Sequence, residues 1–445
     1  MTENPGQTKE LGVALLGMGT VGTEVARILT ESADDLTARV GARLVIRGIA
    51  VRDTEKDRGL KELGLKKSLL TDDAEALVGR DDVDIVVEVM GGIEPTRSLM
   101  LSAFKAGKSV VTANKALLAE YTGQLADAAN KARADLYFEA AVAGAIPVIR
   151  PLQQSLAGDS VELVAGIVNG TTNFILSNMA EHGDPYEVVL KEAGRLGYAE
   201  ADPTADVEGY DAASKAAILA SIAFHTRVKA ADVHREGITG VTAADIEAAK
   251  AFDCTIKLLA ICEKFTDAEG AQRVSARVYP ALVPFKHPLA SVDGAYNAVF
   301  VEAENAGRLM FYGAGAGGAP TASAVMGDLV AAARNKVVSG RGPRDSAYAK
   351  LPIAPIGEVL TRYYVAMEVA DRPGVLSAVA NEFSARSVSI STVRQQADTP
   401  ERGARLVILT HKAPDAALSA TVEALKNLDV VTAVSSVLRL EGTND

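Results

Sequence analysis

A short apolar run followed at once by three spaced glycines restricts most strongly how this chain can fold. Residues 13–16, Val-Ala-Leu-Leu, predict a buried strand, and glycines follow at positions 17, 19 and 22. Apolar residues then recur at helical spacing from Val21 onward. A strand, a Gly-x-Gly-x-x-Gly turn and a helix, in this order, are the context in which such glycines bind a dinucleotide.

Each residue of this turn has a predicted part in that binding. Gly17 permits the tight turn, Gly19 lets the backbone approach a pyrophosphate, and Gly22 lets the helix pack close to the strand. Thr20 and Val21 open the helix, whose N–H groups and partial positive charge favour phosphates. A tight turn that binds no ligand is the alternative interpretation of the same pattern.

Length and charge narrow the class of protein. At 445 residues the chain exceeds one ordinary core, so we expect two or three domains. A formal charge of −11 argues against non-specific binding to nucleic acid or to an anionic membrane. The sequence has no apolar run of the roughly 18 residues that span a membrane, and residues 1–10 are polar, so we expect a cytoplasmic protein.

The two cysteines, Cys254 and Cys262, are predicted to lie in one helix. Eight residues of helix would separate them by about 12 Å, too far for a disulfide bond. We therefore expect free, buried thiols in a reducing compartment. Neither has a histidine nearby in the sequence, which argues against a nucleophilic or metal-binding role.

Strands and helices alternate over residues 11–112. The predicted strands are 13–16, 44–51, 85–89 and 109–112, with helices between them. This alternation predicts an α/β fold with a Rossmann-like, doubly wound parallel sheet. Because ligands of such sheets bind at the carboxyl ends of the strands, Gly91, Gly92 and Lys115 are expected on the same rim as the glycine turn.

The residues after the second strand bear on which dinucleotide binds. Arg52 follows the strand directly, and Asp53 comes next. An arginine there pairs with the 2′-phosphate of NADP, whereas an acidic residue accepts hydrogen bonds from the ribose of NAD. The arginine favours NADP, with NAD possible if Asp53 takes the ribose and Arg52 is a solvated loop charge.

A single carboxylate, Glu139, stands in the apolar stretch 137–149. A buried glutamate requires a partner, a proton or a cation. Backbone carbonyl groups around Gly144 could complete an oxygen-only site for a hard cation. The pattern alone favours the simpler interpretation, a glutamate at a strand end that faces water.

A helix predicted over 211–224 follows the densest acidic patch of the chain, residues 200–211. Asp211 and Lys215 are four residues apart, so they share one face of this helix. Small apolar residues surround Lys215, and desolvation of its amine would favour proton transfer, while Asp211 opposes that effect. An ordinary surface ion pair is the alternative, and the pattern alone favours it.

A second glycine-rich turn at 314–321 precedes a helix predicted over 322–338. Gly318 in this turn either brings the backbone to the cofactor or permits a close helix–helix contact. Residues 339–355 have the composition of a linker. Beyond it, the predicted order β-α-β-β-α-β is that of a ferredoxin-like unit.

The sequence resembles the homoserine dehydrogenase family, in its long bacterial form with a C-terminal regulatory ACT domain. The resemblance covers nearly the whole chain. Its motifs are Gly17–Gly22, Thr112–Lys115, Glu139–Pro147, Asn169–Asn173, Gly197–Pro203 with Asp211 and Lys215, and Asp371–Leu376 for the ACT unit.

The resemblance implies an oxidoreductase that interconverts L-homoserine and L-aspartate 4-semialdehyde with NADP(H), in the biosynthesis of threonine, methionine and isoleucine. Lys215 would be the acid/base group, and Asp211 would hold substrate or water beside it. Gly197 and Glu200 would bind the substrate. Lys115 would lie at the nicotinamide end and orient it.

The resemblance also implies ligands and partners beyond the substrate. Glu139 and the backbone of Val142, Gly144 and Ile146 would hold a sodium ion. The ACT unit would bind an amino-acid effector, with threonine expected. A homo-oligomer is implied, with a tetramer expected, and no nucleic-acid or membrane partner.

These expectations give a domain plan and two rival functions. A dinucleotide-binding domain is predicted over 1–135, completed by the helix at 320–340. An α+β substrate-binding and dimerisation domain follows over 136–320, then a linker over 341–358 and the ACT domain over 359–445. One rival is a semialdehyde-oxidising enzyme with a cysteine nucleophile. The other is a non-catalytic NADP and amino-acid sensor, which would need no proton donor.

Overall fold

A computed structural model describes residues 9–267, 269–397 and 404–442. The chain forms two compact units, each built from separate segments. The first unit comprises Met1–Val164, Ala217–Ala230 and Asn297–Lys350. The second comprises Ala165–Ala216, Ala231–Tyr296 and Leu351–Asp445. Both units are discontinuous in the sequence, and the first includes the segment 320–340 that the predicted plan adds to the dinucleotide-binding domain. The predicted domain boundaries stay a prediction.

Residues 10–137 form strands and helices in alternation. In chain order the elements are β1 (Glu10–Leu16), α1 (Thr20–Glu31), α2 (Ala33–Val40), β2 (Arg43–Ala50), β3 (Leu70–Thr71), α3 (Ala74–Gly79), β4 (Ile85–Glu88), α4 (Thr96–Lys105), β5 (Ser109–Thr112), α5 (Lys115–Ala132) and β6 (Leu136–Tyr137). The strands form one parallel sheet in the order β3-β2-β1-β4-β5-β6. The prediction of a doubly wound parallel sheet is therefore confirmed.

The middle of the chain mixes helices with longer strands. Its elements are β7 (Val161–Ile167), α6 (Gly170–His182), α7 (Tyr186–Arg195), α8 (Thr204–Val207), α9 (Tyr210–Ala223), β8 (His234–Arg235), α10 (Ala243–Ala251), β9 (Cys254–Thr266), β10 (Gln272–Pro284), β11 (Tyr296–Ala303), β12 (Gly307–Ala314) and α11 (Gly318–Val337). α11 belongs to the first unit, where Val325 and Leu329 share a buried core with Val13, Leu15 and Val25.

The helix predicted around the two cysteines is wrong. Cys254 and Cys262 both lie on β9, which pairs with β10 over its whole length. β9 is buried on both faces over most of its length, so its sequence lacks the polar-apolar alternation that identifies a strand. The two thiols are free and buried, as expected.

The C-terminal module has the predicted β-α-β-β-α-β order. It contains β13 (Leu360–Val369), α12 (Val375–Ala385), β14 (Ile390–Ala397), β15 (Ala404–Thr410), the short strand β16 (Ala413–Pro414), α13 (Asp415–Lys426) and β17 (Val431–Leu440). The sheet order β17-β13-β15-β14 is antiparallel. β17 also pairs in parallel with β10 through Ala281↔Arg439 and Leu282↔Leu440, so the module's sheet continues that of β9 and β10.

The segment predicted as a linker is anchored along its first half. The Gly342 N–H donates to Asp135 Oδ1 at 2.8 Å, and Asp345 accepts from Arg227 at 2.7 Å. Ser346 Oγ lies 2.7 Å from His225 Nδ1, and Tyr348 stacks on the same imidazole. Residues 342–348 are thus irregular in backbone but fixed to the first unit.

None of the helices in the described part of the chain combines the length and apolar character needed to cross a bilayer.

Candidate active site

The glycine turn between β1 and α1 has the geometry that its sequence predicts. Gly17 has φ +103°, and a Cβ there would lie 2.9 Å from the Val89 carbonyl oxygen. A Cβ on Gly22 would lie 2.2 Å from Gly17 O, so only glycine allows α1 to approach the turn this closely. Gly19, in contrast, is exposed and has no atom within 4 Å of a Cβ position.

This turn fits a dinucleotide. Gly19 is the N-cap residue of α1 and supplies no capping side chain, so the first N–H groups of the helix are available to a phosphate. The space beside Gly19 is what close approach of a pyrophosphate requires. Thr20, at the first turn of α1, is exposed.

A buried carboxylate that the sequence analysis did not single out, Glu88, shapes the neighbouring loop. It ends β4 and is fully buried. Its Oε1 accepts from the N–H groups of Met90 and Gly91, both at 2.9 Å, and its Oε2 accepts from Thr112 Oγ1 at 2.5 Å. Burial raises the pKa of Glu88, although these hydrogen bonds oppose the change. The sequence signal that could have identified Glu88 is a glutamate at the end of an otherwise apolar strand.

Lys115 opens α5 at the carboxyl end of β5 and is exposed. The residue before it, Asn114, caps the helix, because its Oδ1 accepts from the Leu117 N–H at 3.1 Å. Its Nδ2 donates to Gly92 O at 2.7 Å. Gly91, with φ +73°, is exposed in the loop after β4. The structure therefore joins the loop after β4 to the start of α5, as expected for one rim.

The two candidate ligands of the ribose, Arg52 and Asp53, have different surroundings in the loop after β2. Asp53 Oδ1 accepts from the N–H groups of Glu55 at 2.9 Å and Lys56 at 3.3 Å, so the carboxylate closes its own turn. The Arg58 guanidinium donates to Asp53 O at 2.6 Å and holds the same turn. Arg52 is exposed.

Gly318 lies in a helix–helix contact. It is the first residue of α11, and a Cβ there would lie 3.0 Å from Thr20 Cγ2 and 3.3 Å from Glu24 Cγ. The start of α11 therefore packs against the start of α1. This contact accounts for the glycine, and a part in cofactor binding stays a prediction.

The Lys215–Asp211 pair of α9 is buried. Lys215 is 7% exposed and Asp211 is 8% exposed, and Lys215 Nζ lies 2.7 Å from Asp211 Oδ2. Lys215 Nζ also donates to Val168 O at 2.5 Å, just beyond the end of β7. The surface ion pair that the pattern favoured is therefore wrong. Val168 and Asn169, in the turn after β7, contact this pair, which sequence spacing alone could not reveal.

The motif Asn169–Asn173 organises the surroundings of this pair. Asn169 caps α6, and its amide donates to Asp206 and Asp211. Gly170 leaves room for Ala295, whose carbonyl oxygen would lie 2.7 Å from a Cβ. Asn173 Nδ2 donates to three carbonyl groups of the loop before β11, those of Val292, Gly294 and Tyr296. Only the tertiary structure identifies these partners.

The predicted substrate-binding residues Gly197 and Glu200 lie in an exposed loop after α7. Gly197 has φ +80°, a conformation that favours glycine. Thr171 Oγ1 donates to Tyr198 O at 2.7 Å, and the Tyr198 ring contacts Phe174 with centroids 4.7 Å apart. The start of α6 therefore holds this loop as well as the Lys215–Asp211 pair.

Glu139 is 2% exposed, so the expected glutamate facing water is wrong. Its Oε1 accepts from the N–H groups of Val148 and Ile149, both at 2.7 Å, and its Oε2 accepts from the Arg150 N–H at 2.9 Å. Arg150 also pairs with Asp328 at 2.7 Å, and Asp328 accepts from the Glu139 N–H. The Glu139 carboxylate thus satisfies backbone donors, which restricts its capacity to bind a cation.

The turn after Glu139 carries the other proposed cation ligands. Ala143 has φ +57° and Gly144 has φ +58°. A Cβ on Gly144 would lie 2.4 Å from Gly315 O, so glycine is required there. The backbone carbonyl groups of Val142, Gly144 and Ile146 stay a predicted set of sodium ligands. In the described part of the chain, no group of three or more His, Cys, Asp or Glu side chains could hold a metal.

The buried thiols do not suit nucleophilic catalysis. Burial and the neighbouring Asp253 raise the pKa of the Cys254 thiol to about 11. Cys262 Sγ donates to Ala216 O at 3.3 Å. A thiolate is the reactive form of cysteine, so this environment opposes the rival thioester mechanism.

Comparison with known proteins identifies relatives over the full chain. Family models match in three places: a homoserine dehydrogenase NAD-binding domain over residues 17–139, homoserine dehydrogenase over 147–330, and an ACT domain over 363–430. A curated homoserine dehydrogenase of Mycobacterium bovis is 68% identical over 443 residues, which is 99% of each chain.

Solved structures agree with these matches. The crystal structure of a homoserine dehydrogenase from Thiobacillus denitrificans is 38% identical, with a TM-score of 0.89 over 98% of this chain and 99% of that one. A hyperthermophilic archaeal homoserine dehydrogenase in complex with NADPH is 27% identical, with a TM-score of 0.62 over 76% of this chain and 99% of that one.

Proposed function

Because the chain belongs to the homoserine dehydrogenase family, we propose that the buried Lys215–Asp211 pair carries its proton transfer. The reaction is the reversible, NAD(P)-dependent interconversion of L-homoserine and L-aspartate 4-semialdehyde. We place it in the biosynthesis of threonine, methionine and isoleucine. A proton donor distinguishes this enzyme from a sensor that only binds nucleotide.

In the reducing direction the nicotinamide, when bound, supplies a hydride to the aldehyde carbon. The carbonyl oxygen then becomes an alkoxide and takes a proton from the Lys215 ammonium group. In the oxidising direction the lysine amine accepts the proton of the homoserine hydroxyl group. The observation that carries this proposal is a buried lysine held by Asp211 Oδ2 and Val168 O at 2.7 and 2.5 Å.

We assign the substrate's amino-acid end to the acidic loop beside this pair. Glu200 offers a carboxylate to the substrate ammonium group, and Gly197 offers backbone polar groups. Asp211 holds the substrate or a water molecule beside Lys215. Lys115 orients the substrate from the nicotinamide end. The hydrogen bond from Thr171 to Tyr198 supports this arrangement, because it joins the loop to the helix that adjoins Lys215 and Asp211.

For the cofactor we propose NADP rather than NAD. Arg52 would pair with the 2′-phosphate. Asp53 Oδ1 already accepts from two backbone N–H groups, which reduces the capacity of this carboxylate to accept from the two ribose hydroxyl groups. The relative solved with NADPH supports the same preference. The other proposed cofactor-binding residues are the glycine turn, Gly91, Lys115 and Gly318. Gly318 lies close to Thr20 at the start of α1.

We propose a sodium ion at the turn formed by Val142, Gly144 and Ile146. Three carbonyl oxygens on one turn provide the hard ligands that such an ion prefers. Glu139 contributes negative charge at this site, but its oxygens accept from the N–H groups of residues 148–150. The ion would stabilise the turn and take no part in the chemistry.

For regulation we propose that the ACT domain binds threonine as an amino-acid effector. The described residues of this domain have the predicted β-α-β-β-α-β order. Threonine is an end product of the pathway in which we place the reaction, so its binding would give feedback inhibition. A homo-oligomer, with a tetramer expected, would provide junctions between ACT domains for this effector.

The test is a spectrophotometric assay of NADP⁺ reduction by L-homoserine, with and without L-threonine. Lys215→Ala is expected to lower kcat by at least about 10²-fold, the scale of a lost general acid–base group, while NADPH binding stays nearly unchanged. Lys191→Ala, an exposed lysine on α7, is the matched control. A Lys215→Ala enzyme with a near-native rate would remove Lys215 from the mechanism.

A further inference from the structure

We propose that Asn169 is the positioning residue that holds the Asp211 carboxylate, and through it the Lys215 ammonium group, in the geometry for proton transfer. This inference rests on the proposed roles of Lys215 and Asp211. Asn169 is 5% exposed and lies at the N-cap position of α6, two residues after the end of β7.

The Asn169 side chain makes two kinds of contact, one on each side of its amide group. Its Oδ1 accepts from the Thr172 N–H at 2.9 Å and from Thr172 Oγ1 at 3.0 Å. Its Nδ2 donates to Asp206 Oδ1 at 2.7 Å and to Asp211 Oδ2 at 2.9 Å. The backbone donor and the two carboxylates determine the orientation of the amide. A flipped amide would direct its oxygen at the two carboxylates and its NH₂ group at the Thr172 N–H.

Asparagine is the residue type that this position requires. A helix cap needs an acceptor on a short side chain, and two carboxylates need two N–H donors. Aspartate satisfies the cap but would add a third carboxylate beside Asp206 and Asp211. Serine also satisfies the cap, but its single hydroxyl group cannot serve both carboxylates while it accepts from the helix.

The turn that contains Asn169 fixes the catalytic pair from two directions. Val168 O accepts directly from Lys215 Nζ at 2.5 Å. Asn169, the next residue, donates to the same Asp211 oxygen, Oδ2, that lies 2.7 Å from Lys215 Nζ. Two consecutive residues of one turn therefore hold both members of a pair that belongs to α9.

The consequence for catalysis is positional. Proton transfer to an alkoxide requires the ammonium group within hydrogen-bond reach of the oxygen, and small displacements of a catalytic group cost rate steeply. Without the Asn169 donor, the Asp211 carboxylate loses one of its hydrogen bonds, so its position relative to Lys215 is less restricted. The proposed dinucleotide contacts of the β1–α1 turn involve other residues and do not depend on this amide.

The experiment compares Asn169→Ser and Asn169→Asp, both of which keep a helix-capping oxygen. Each is expected to lower kcat by about 10- to 100-fold, the value of a lost hydrogen bond to a charged group, with KM for NADP⁺ within about twofold of wild type. The kcat of Asn169→Asp is expected to recover partly towards pH 6. Once protonated, the introduced carboxyl group can again donate to Asp211, and the nearby carboxylates Asp206 and Asp211 favour that protonation while Lys215 opposes it.

The matched control is Asn178→Ser, on the same helix, where the amide donates only to Phe174 O among the contacts described. Circular dichroism confirms that each variant is folded. If Asn169→Ser keeps kcat within twofold, or if Asn178→Ser loses as much, the positioning role is wrong. Lys215→Ala in the same assay separates the two proposals: an active Lys215→Ala enzyme refutes the catalytic assignment itself, whereas an inactive one beside an active Asn169→Ser enzyme refutes only the role of Asn169.

Discussion

Two buried lysines of the second unit, Lys257 and Lys215, have different surroundings, which distinguish a structural role from the proposed catalytic role. Lys257, on β9, is 1% exposed and donates to Val292 O at 2.6 Å and to Asp293 at 3.1 Å. It ties a loop to the sheet, and burial lowers its pKa. Lys215 instead faces Asp211 and the carboxyl end of β7, beside the loop assigned to the substrate. Burial alone therefore does not identify a catalytic lysine.

At the residue scale, Arg52 should determine cofactor preference. Arg52→Ala is expected to raise KM for NADPH by about 10-fold or more, since a charge-assisted contact to phosphate is lost, and to leave KM for NADH nearly unchanged. Steady-state kinetics with both cofactors measure this difference. Arg58→Ala, which removes the support of the same loop without the proposed phosphate contact, is the control. Equal effects of Arg52→Ala on the two cofactors would contradict the assignment.

A second residue-scale prediction concerns Asp328, whose pKa burial raises to about 7 against the opposing hydrogen bond and charge of Arg150. The folded protein therefore holds this proton more tightly than the unfolded chain. The stability that results is complete below the unfolded pKa and is lost as pH rises through about 7. A shift of this size corresponds to a few kcal/mol, about 1.4 kcal/mol for each pH unit.

The measurement is the free energy of unfolding between pH 5 and 8. Wild type is expected to lose stability across this range, and Asp328→Asn, which cannot titrate, is expected to show a flatter dependence. Parallel curves for the two proteins would show that Asp328 is ionised throughout.

At the scale of elements, the β1–α1 turn contains glycines with two different functions, close packing and space for a ligand. A Cβ at Gly22 meets Gly17 O at 2.2 Å, whereas a Cβ at Gly19 has no atom within 4 Å. The first glycine is required by packing within the protein, and the second leaves space for a ligand. The two positions therefore respond differently to the same substitution.

Gly22→Ala is expected to destabilise the fold by about 1–3 kcal/mol, because the turn and α1 must separate to admit the methyl group. Gly19→Ala is expected to leave Tm nearly unchanged and to raise KM for the dinucleotide. Thermal unfolding without cofactor and initial-rate kinetics distinguish the two effects. A Gly19→Ala protein with native KM would argue against pyrophosphate binding at this turn.

At the scale of the whole molecule, the C-terminal module is part of a larger sheet. β17 pairs with β10, and the Arg439 guanidinium group donates to Asp415 at 2.8 Å and to both oxygens of Glu236 at 2.8 and 2.9 Å. Removal of residues from about 345 onward would expose the edge of β10 and remove Arg439, one of the partners of Glu236. A truncated enzyme is therefore expected to be less stable than the full chain, which complicates its use as an unregulated form.

A single substitution tests this connection with the full chain. Arg439→Ala is expected to cost about 3–5 kcal/mol of stability, because it leaves the buried Asp415 carboxylate without its cation. Arg439→Lys should recover only part of this loss, since an ammonium group cannot reproduce the paired geometry of a guanidinium group. Urea unfolding measures both. An Arg439→Ala protein within about 0.5 kcal/mol of wild type would show that the network contributes little.

Local sequence pattern is sufficient to predict the main secondary structure elements and the class of each fold. The strand–glycine–helix order of residues 13–22 predicted the parallel sheet, and the β-α-β-β-α-β order predicted the C-terminal module. The motifs also indicate the family. These features can be inferred because backbone conformation and strand or helix period are properties of neighbouring residues.

The burial of a side chain and its long-range hydrogen bonds follow from the tertiary structure and not from local sequence. The pattern favoured an exposed Lys215–Asp211 pair and a solvent-facing Glu139, and both are buried. It placed Cys254 in a helix, and that residue begins a strand buried on both faces. Asn169 meets Asp206 and Asp211 from 37 and 42 residues away. Burial and long-range hydrogen bonds arise between distant segments, and a local pattern contains no information about which distant segment will be adjacent.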